Sequence, residues 1–275
     1  MSNDITAFGR IDRVHLIRAD AEIESMLEAK CQRLRQVLEG ARRSRVAVGL
    51  SGGIDSSVAM ALGARALGPE NVIAIRMPSR HTEQVHLDDA AACAEAANLP
   101  PENMLTISIE PLLDGIEQVR PGVHEAALRF GNASARARMI LLYDVAQAYD
   151  ALVLGTENRS EYHLGYFTRF GDAASDIEPI HDFYKTEVRT AARLLGQPES
   201  VIVKHPTAGL WGGQTDEAEL GFSYRDADLV MVAMQELGMN VAEASERTGV
   251  PADVAQRIDQ RVRSVAWKHV VPHAL

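Results

Sequence analysis

The chain has 275 residues, of which 46% are apolar and 24% charged, and its formal net charge is −10. That length suits one α/β domain with a full core, read as residues 1–275, and the acidity argues against the basic footprint of a nucleic-acid binder. The two cysteines, Cys31 and Cys93, are too few and too far apart for a disulfide framework or a CxxC site. The N-terminus MSNDITAFGRIDR lacks the apolar stretch of a signal peptide, and no run approaches the length of a membrane span, so a cytoplasmic protein without membrane contact is expected.

In chain order, residues 20–39 carry Ile23, Met26, Leu27, Leu34, Val37 and Leu38 at helical spacing. Four short apolar runs follow, at 45–50, 71–77, 103–109 and 151–156, separated by helix-like segments at 54–67, 85–97 and 131–148. Strands alternating with helices predict βαβ units and a parallel sheet covered on both faces. Ligands of such sheets bind beyond the carboxyl ends of the strands. Residues 157–183 and 204–225 are rich in Gly, Asp, His and aromatics without clear periodicity, which suits functional loops. Residues 226–270 read as helices, and a Gly-Val-Pro break gives two of them the look of a helix-turn-helix. No basic cluster accompanies that turn, so surface helices at a dimer edge or a loop-covering element explain them better.

The first run ends in VAVGLSGGIDSS at 46–57. Gly49, Gly52 and Gly53 let backbone N–H groups approach an anion, and a helix starting near Ile54 aims its dipole at the same place. Ser51, Ser56 and Ser57 add hydroxyls. A carboxylate at Asp55 is out of place in an anion cradle unless a hard cation joins it, and Mg²⁺ is the natural partner of phosphate oxygens. The same residues also read as a Gly-Gly turn capped by Ser51, with Asp55 favouring a helix N-terminus. Neither GxxxxGK[ST] nor GxGxxG is present here.

GLSGGIDSS resembles the SGGxDS loop of the ATP pyrophosphatases, which cleave ATP to AMP and pyrophosphate. LGTENRSEYHLGYFTRFGDAASDIEPIHDFYKTEV at 154–188 resembles the signature region of the NAD synthetases within that superfamily. GNASARARM at 131–139 and PTAGLWGGQTDEAELGFSY at 206–224 are similar to two further blocks of the same family, in the same order. The resemblance implies an adenine-nucleotide α-hydrolase-like (Rossmann-like) fold and amidation of deamido-NAD with ammonia at the expense of ATP. It implies ATP contacts from Gly49, Leu50, Ser51, Gly52, Gly53, Ile54, Asp55, Ser56, Arg76, Thr156, Lys185 and Thr207, and Mg²⁺ on Asp55 and Glu161. It further implies deamido-NAD contacts from Arg136, Arg169, Asp176 and Lys268, with Lys185 and Asp176 as the catalytic candidates, and a homodimer. Trp267 stands where the family usually has histidine.

Each of these residues also has a plain reading. Arg136 and Arg138 face different ways on one helix, so one of them is solvated; Arg169 pairs with Asp172, and Asp176 caps a turn. His81, His86, His163, His181 and His205 belong to no metal-ligand pattern and read as structural. Phe130, Tyr166, Phe167 and Phe170 suit either ring stacking or core packing. A tRNA thiolase of the same superfamily would want reactive cysteines and a basic surface. A nucleotide sensor would not need both carboxylates and Lys185. A glutamine-hydrolysing domain has no room ahead of the first strand, so free ammonia is the expected nitrogen source.

Overall fold

Four short strands pair in parallel in the order β3-β2-β1-β4: β1 (Arg45–Gly49), β2 (Val72–Arg76), β3 (Met104–Thr106) and β4 (Ala151–Leu154). The structure is a computed structural model and describes residues 16–204 and 215–273. Val46 lies opposite Val72, Arg45 opposite Ala151, and Ala74 opposite Met104. Side chains alternate across the pleat. Val46, Val48, Val72, Ala74 and Leu154 enter one core, with α1 (Asp20–Ala41), α2 (Ile54–Leu67), α3 (Gln84–Ala96) and α7 (Lys185–Leu194). Ala47, Ile73, Ile75, Ala151 and Val153 enter a second core on the opposite face, with α4 (Glu110–Val119) and α5 (Ala127–Ala148). Burial on both faces is why the runs are almost continuously apolar.

Most expected elements form close to their predicted bounds. The third run is shorter as a strand than 103–109, because the chain beyond Thr106 turns into α4, although Ile107 N–H still donates to Arg76 O at 2.9 Å. The fourth run leaves the sheet after Leu154. There Asp176 and Ile177 lie against β4, with Asp176 N–H donating to Val153 O at 3.0 Å and Gly155 N–H to Ile177 O at 2.8 Å, which covers that edge. α4 and α7 were missing from the sequence reading, as was the short α6 (Arg159–Leu164). In α7 the cue is Val188, Ala191 and Ala192 at helical spacing on the buried face. Both cysteines are buried on helices, as expected.

The C-terminal helices differ from surface elements. α10 (Tyr224–Met231), with a π turn over Val232–Glu236, α11 (Val241–Thr248) and α12 (Ala252–Val265) enclose a third core. Leu229, Val230, Ala244, Ala255 and Ile258 are its buried centre, and Leu164 and Tyr184, at the two ends of the 164–184 segment, belong to it. Two more short helices, α8 (Glu199–Ile202) and α9 (Asp216–Leu220), flank the undescribed segment. Leu229→Ala should therefore cost about 2–5 kcal/mol of stability. Urea denaturation followed by far-UV circular dichroism checks this, and an unchanged midpoint would show that the third core does not unfold with the rest.

Candidate active site

The loop leaving β1 is shaped by one close approach. Gly52 has φ +77°, and a Cβ there would sit 2.1 Å from the backbone oxygen of His86, so only glycine fits. The serine hydroxyls are committed to the loop itself. Ser51 Oγ accepts from Gly53 N–H at 3.2 Å and pairs with Ser56 Oγ at 3.0 Å, and Ser56 Oγ also receives Ser51 N–H at 3.2 Å. Ser57 Oγ donates to Ile54 O at 2.7 Å and is structural. Gly53, the residue ahead of α2, carries no side-chain cap, so the first-turn N–H groups of α2 face the space beyond the strand ends uncapped.

Three elements converge there. α2 carries Asp55, α6 carries Glu161, and α7 begins at Lys185. Lys185 Nζ donates to Asp55 Oδ2 at 2.5 Å and to Glu161 Oε1 at 2.8 Å, and lies 5.2 Å from the Tyr224 ring centre. Asn158 joins the two acidic elements: its Nδ2 donates to Asp55 Oδ1 at 2.8 Å, and its Oδ1 caps α6 by accepting Glu161 N–H at 3.0 Å. Asn158 is fully buried and was not singled out in the sequence. Its place as N-cap of a short helix inside the GTENRSE block is the signal that could have found it.

Charge in this cluster is unbalanced. Burial disfavours the ammonium of Lys185, but Asp55 and Glu161 outweigh it and hold the group above the ordinary lysine range. Burial, reinforced by Asp55, pushes Glu161 up to about 8. The upward push on Glu161 marks a second buried carboxylate whose ionised form one ammonium does not fully offset, and a hard cation would favour that form. Among the described residues no group of three or more His, Cys, Asp or Glu gathers for a metal. Asp55 and Glu161 alone suit Mg²⁺ that completes its shell with phosphate oxygens and water.

The remaining expected residues are distributed around this centre. Thr156 follows β4. Arg76, at the end of β2, donates from Nε to Thr106 Oγ1 at 3.0 Å. Arg136 is exposed and reaches Arg169 O at 3.3 Å, while Arg138 is turned inward to Met77 O at 3.0 Å. The solvent-facing arginine of that pair is thus Arg136. Arg169 stacks over Trp267 at 5.2 Å and Phe170 at 5.4 Å and donates to Val270 O at 3.2 Å, so its partners are rings and a carbonyl rather than Asp172. Lys268 Nζ donates to Gly165 O and Phe167 O, both at 2.6 Å. Asp176 accepts Val153 N–H on Oδ2 at 2.8 Å and lines a cavity of about 220 Å³ with Arg43, Tyr143, Asp150 and Leu152. None of its hydrogen bonds reaches Lys185, Asp55 or Glu161. Thr207 and His205 lie outside the described residues.

Of the histidines singled out in the sequence, His81, His86, His163 and His181 are described, and each lies against other protein groups. His81 meets the Phe130 ring edge-on at 5.0 Å, and Phe130 itself is buried core. His86 Nδ1 faces Lys204 at 2.9 Å. Burial, then the charge of Arg159, pushes His163 down to about 4, and burial lowers His181 as well. Tyr166 donates to Glu219 at 3.1 Å, and Phe167 lies under the Lys268 ammonium at 4.4 Å.

A parallel sheet with an uncapped helix start, a glycine loop and a lysine–carboxylate cluster at its strand ends defines an α/β enzyme built to handle a polyphosphate. The NAD synthase family model matches residues 26–272, and the chain belongs to that family. It is 42% identical to the NH(3)-dependent NAD(+) synthetase of Methanococcoides burtonii over 86% of this chain and 88% of that one. The enzyme of the same name from Chlorobium phaeovibrioides is 43% identical over 82% and 79%. Among solved structures, an NMN synthetase from Francisella tularensis superposes with a TM-score of 0.79 at 30% identity, covering 92% of this chain and 98% of that one. An NH3-dependent NAD synthetase from Campylobacter jejuni, in complex with the nitrate ion, superposes with a TM-score of 0.75 at 30% identity, covering 92% and 99%. The fold is adenine-nucleotide α-hydrolase-like. No helix among the described residues is long and apolar enough to cross a membrane.

A second acidic pair adjoins the site. Burial, then Glu178 and Glu161, pushes Glu157 up to about 9, and burial pushes Glu178 up to about 7. Unfolded glutamates titrate near ~4.3, so from about that pH up to about 9 the folded form binds more protons than the unfolded one. Stability from these groups is complete below their unfolded values and is lost as pH rises through the folded ones. The melting temperature of the ligand-free protein should fall as pH is raised across that window. Glu157→Gln should flatten the fall and melt higher than wild type at its alkaline end, and identical slopes for the two proteins would contradict the assignment.

Proposed function

We propose that this chain catalyses the ATP-dependent amidation of deamido-NAD with ammonia, giving NAD, AMP and pyrophosphate through an NAD-adenylate. The observation that carries the reading is Lys185 held between Asp55 and Glu161 beside the uncapped start of α2. Membership of the NAD synthase family and the NH(3)-dependent enzymes it resembles support the same conclusion.

In this reading ATP lies across the loop at Gly49–Ser56, with Arg76, Thr156 and Thr207 as further contacts. The backbone N–H groups of the loop and the start of α2 hold the phosphates. Mg²⁺, held by Asp55 and Glu161, would supply neutralisation of phosphate charge. The nicotinate carboxylate attacks the α-phosphorus, the bond to the pyrophosphate oxygen breaks, and Lys185 stabilises the charge that gathers on the phosphoryl oxygens. Ammonia then attacks the activated carbonyl and AMP leaves. The protein's part is positioning and charge stabilisation, with no covalent enzyme intermediate. Arg136, Arg169 and Lys268 serve the dinucleotide, and Trp267 takes up Arg169 by stacking on its guanidinium. Asp176 is kept as a dinucleotide contact, since its carboxylate is occupied at the edge of β4 rather than beside Lys185. A homodimer fits the exposed apolar side chains Leu128 and Ile140 on α5, and a cytoplasmic setting fits the reaction.

The deciding assay follows NAD and pyrophosphate formation from ATP and deamido-NAD with ammonium. Ammonium should support turnover that glutamine alone cannot match. The Francisella neighbour raises a second reading, an NMN synthetase, which replacing deamido-NAD by the mononucleotide of nicotinic acid tests. Absence of ATP-dependent product with the dinucleotide would remove the main proposal. Lys185→Ala should lower kcat and kcat/KM alike, by about 10²–10³-fold. A change confined to the KM for ATP would make Lys185 a simple binding residue.

A further inference from the structure

Glu161 and Lys185 meet through long side chains, yet the chain between them runs through the largely irregular 165–184 segment. Side-chain attraction alone leaves the ammonium free to follow either carboxylate as the backbones drift. A second set of bonds lies beneath the pair, between α6, α7 and α10, and is buried at Ser160 and Asp228. Ser160, the neighbour of Glu161, accepts Lys185 N–H on Oγ at 2.8 Å and donates its own proton to Asp228 Oδ1 at 2.5 Å. Asp228 Oδ2 receives Thr186 N–H at 2.9 Å and the Thr186 hydroxyl at 2.8 Å. Ser160 and Asp228 both have 0% exposure.

We propose that Ser160 and Asp228 are positioning residues: they fix the backbone of Lys185 against the backbone of Glu161 and so hold Lys185 Nζ at the place adenylation requires. The inference rests on the proposed function for the role of Lys185. Ordinary helix capping would need only an acceptor from the residue ahead of α7. Here the acceptor comes from α10 and is routed through the residue next to a site carboxylate. Burial pushes the Asp228 carboxyl up to about 7, and the hydrogen bonds from Ser160 and Thr186 at the positive end of α7 oppose that push. Every donor and acceptor in the chain of bonds is used: Lys185 N–H to Ser160, Ser160 O–H to one carboxylate oxygen, Thr186 to the other. A hydroxyl missing from the middle takes the acceptor from Lys185 N–H and frees the first turn of α7 from α6, while the side chains of Lys185, Asp55 and Glu161 stay as they are.

The test is steady-state kinetics of Ser160→Ala and Asp228→Asn in the ammonium-dependent assay, with circular dichroism at the assay temperature. Small displacements of reacting groups cost up to about 100-fold in rate. Ser160→Ala should lower kcat by about 10- to 100-fold while the KM values for ATP and deamido-NAD stay within about 3-fold. Asp228→Asn should lower kcat in the same way, because an amide cannot accept from both sides. Wild-type turnover in the same assay separates failure of this inference from failure of the functional reading. Wild-type kcat in both variants overturns the inference. So does a loss carried by KM alone, or one that only tracks the fraction of unfolded protein.

Discussion

The site depends on one buried cation. Lys185 is the first residue of α7, and its ammonium is shared by carboxylates from α2 and α6. Leaving that charge without either partner would be costly, because burial penalises an isolated ammonium. The three helix starts are therefore bound to one another by charge as well as by the cores around them. The presence of two carboxylates has a second effect. On top of burial, it raises the proton affinity of Glu161, and it gives the lysine two acceptors from two helices.

The three cores divide the work. Two sandwich the sheet and set the height of the strand ends from which the glycine loop and Thr156 emerge. The third belongs to α10, α11 and α12, and it takes in Leu164 and Tyr184, which flank the functional residues on α6 and α7. The lysine–carboxylate cluster sits where the third core meets the sheet-based ones. Helices that resemble a peripheral appendage in sequence are thus a wall of the site, and Tyr224 from α10 lies directly under the lysine.

Much of this was legible from local pattern. β1, α2, β2, α3 and β4 follow from apolar runs, glycines and helical spacing, and α2 matches its expected bounds. Asp55 was legible because a carboxylate in an anion loop contradicts its surroundings. Asn158, Ser160 and Asp228 were not, since their role exists only between elements: each is an ordinary polar residue until the helices pack. Asp176 shows the converse. A matching block marks it as functional, but its immediate bonds are set by the edge of β4, which no sequence pattern around it reveals. Trp267 looked like a departure from the family pattern; in three dimensions an indole ring answers a guanidinium.

The 3₁₀ turn Ala266–His269 closes over the 162–170 segment through atoms of the main chain. Lys268 holds the carbonyls of Gly165 and Phe167, His269 reaches Tyr162 O at 2.7 Å, and Arg169 takes Val270 O in return. These anchors follow the loop they hold by about a hundred residues, as the 101-residue separation of Lys268 from Phe167 records. Synthesis runs from the N-terminus, so the sheet and the glycine loop emerge well before their counterparts from α12 onward. The 162–170 segment therefore has its anchoring partners only once residues 266–270 have been made, well after the sheet and the glycine loop.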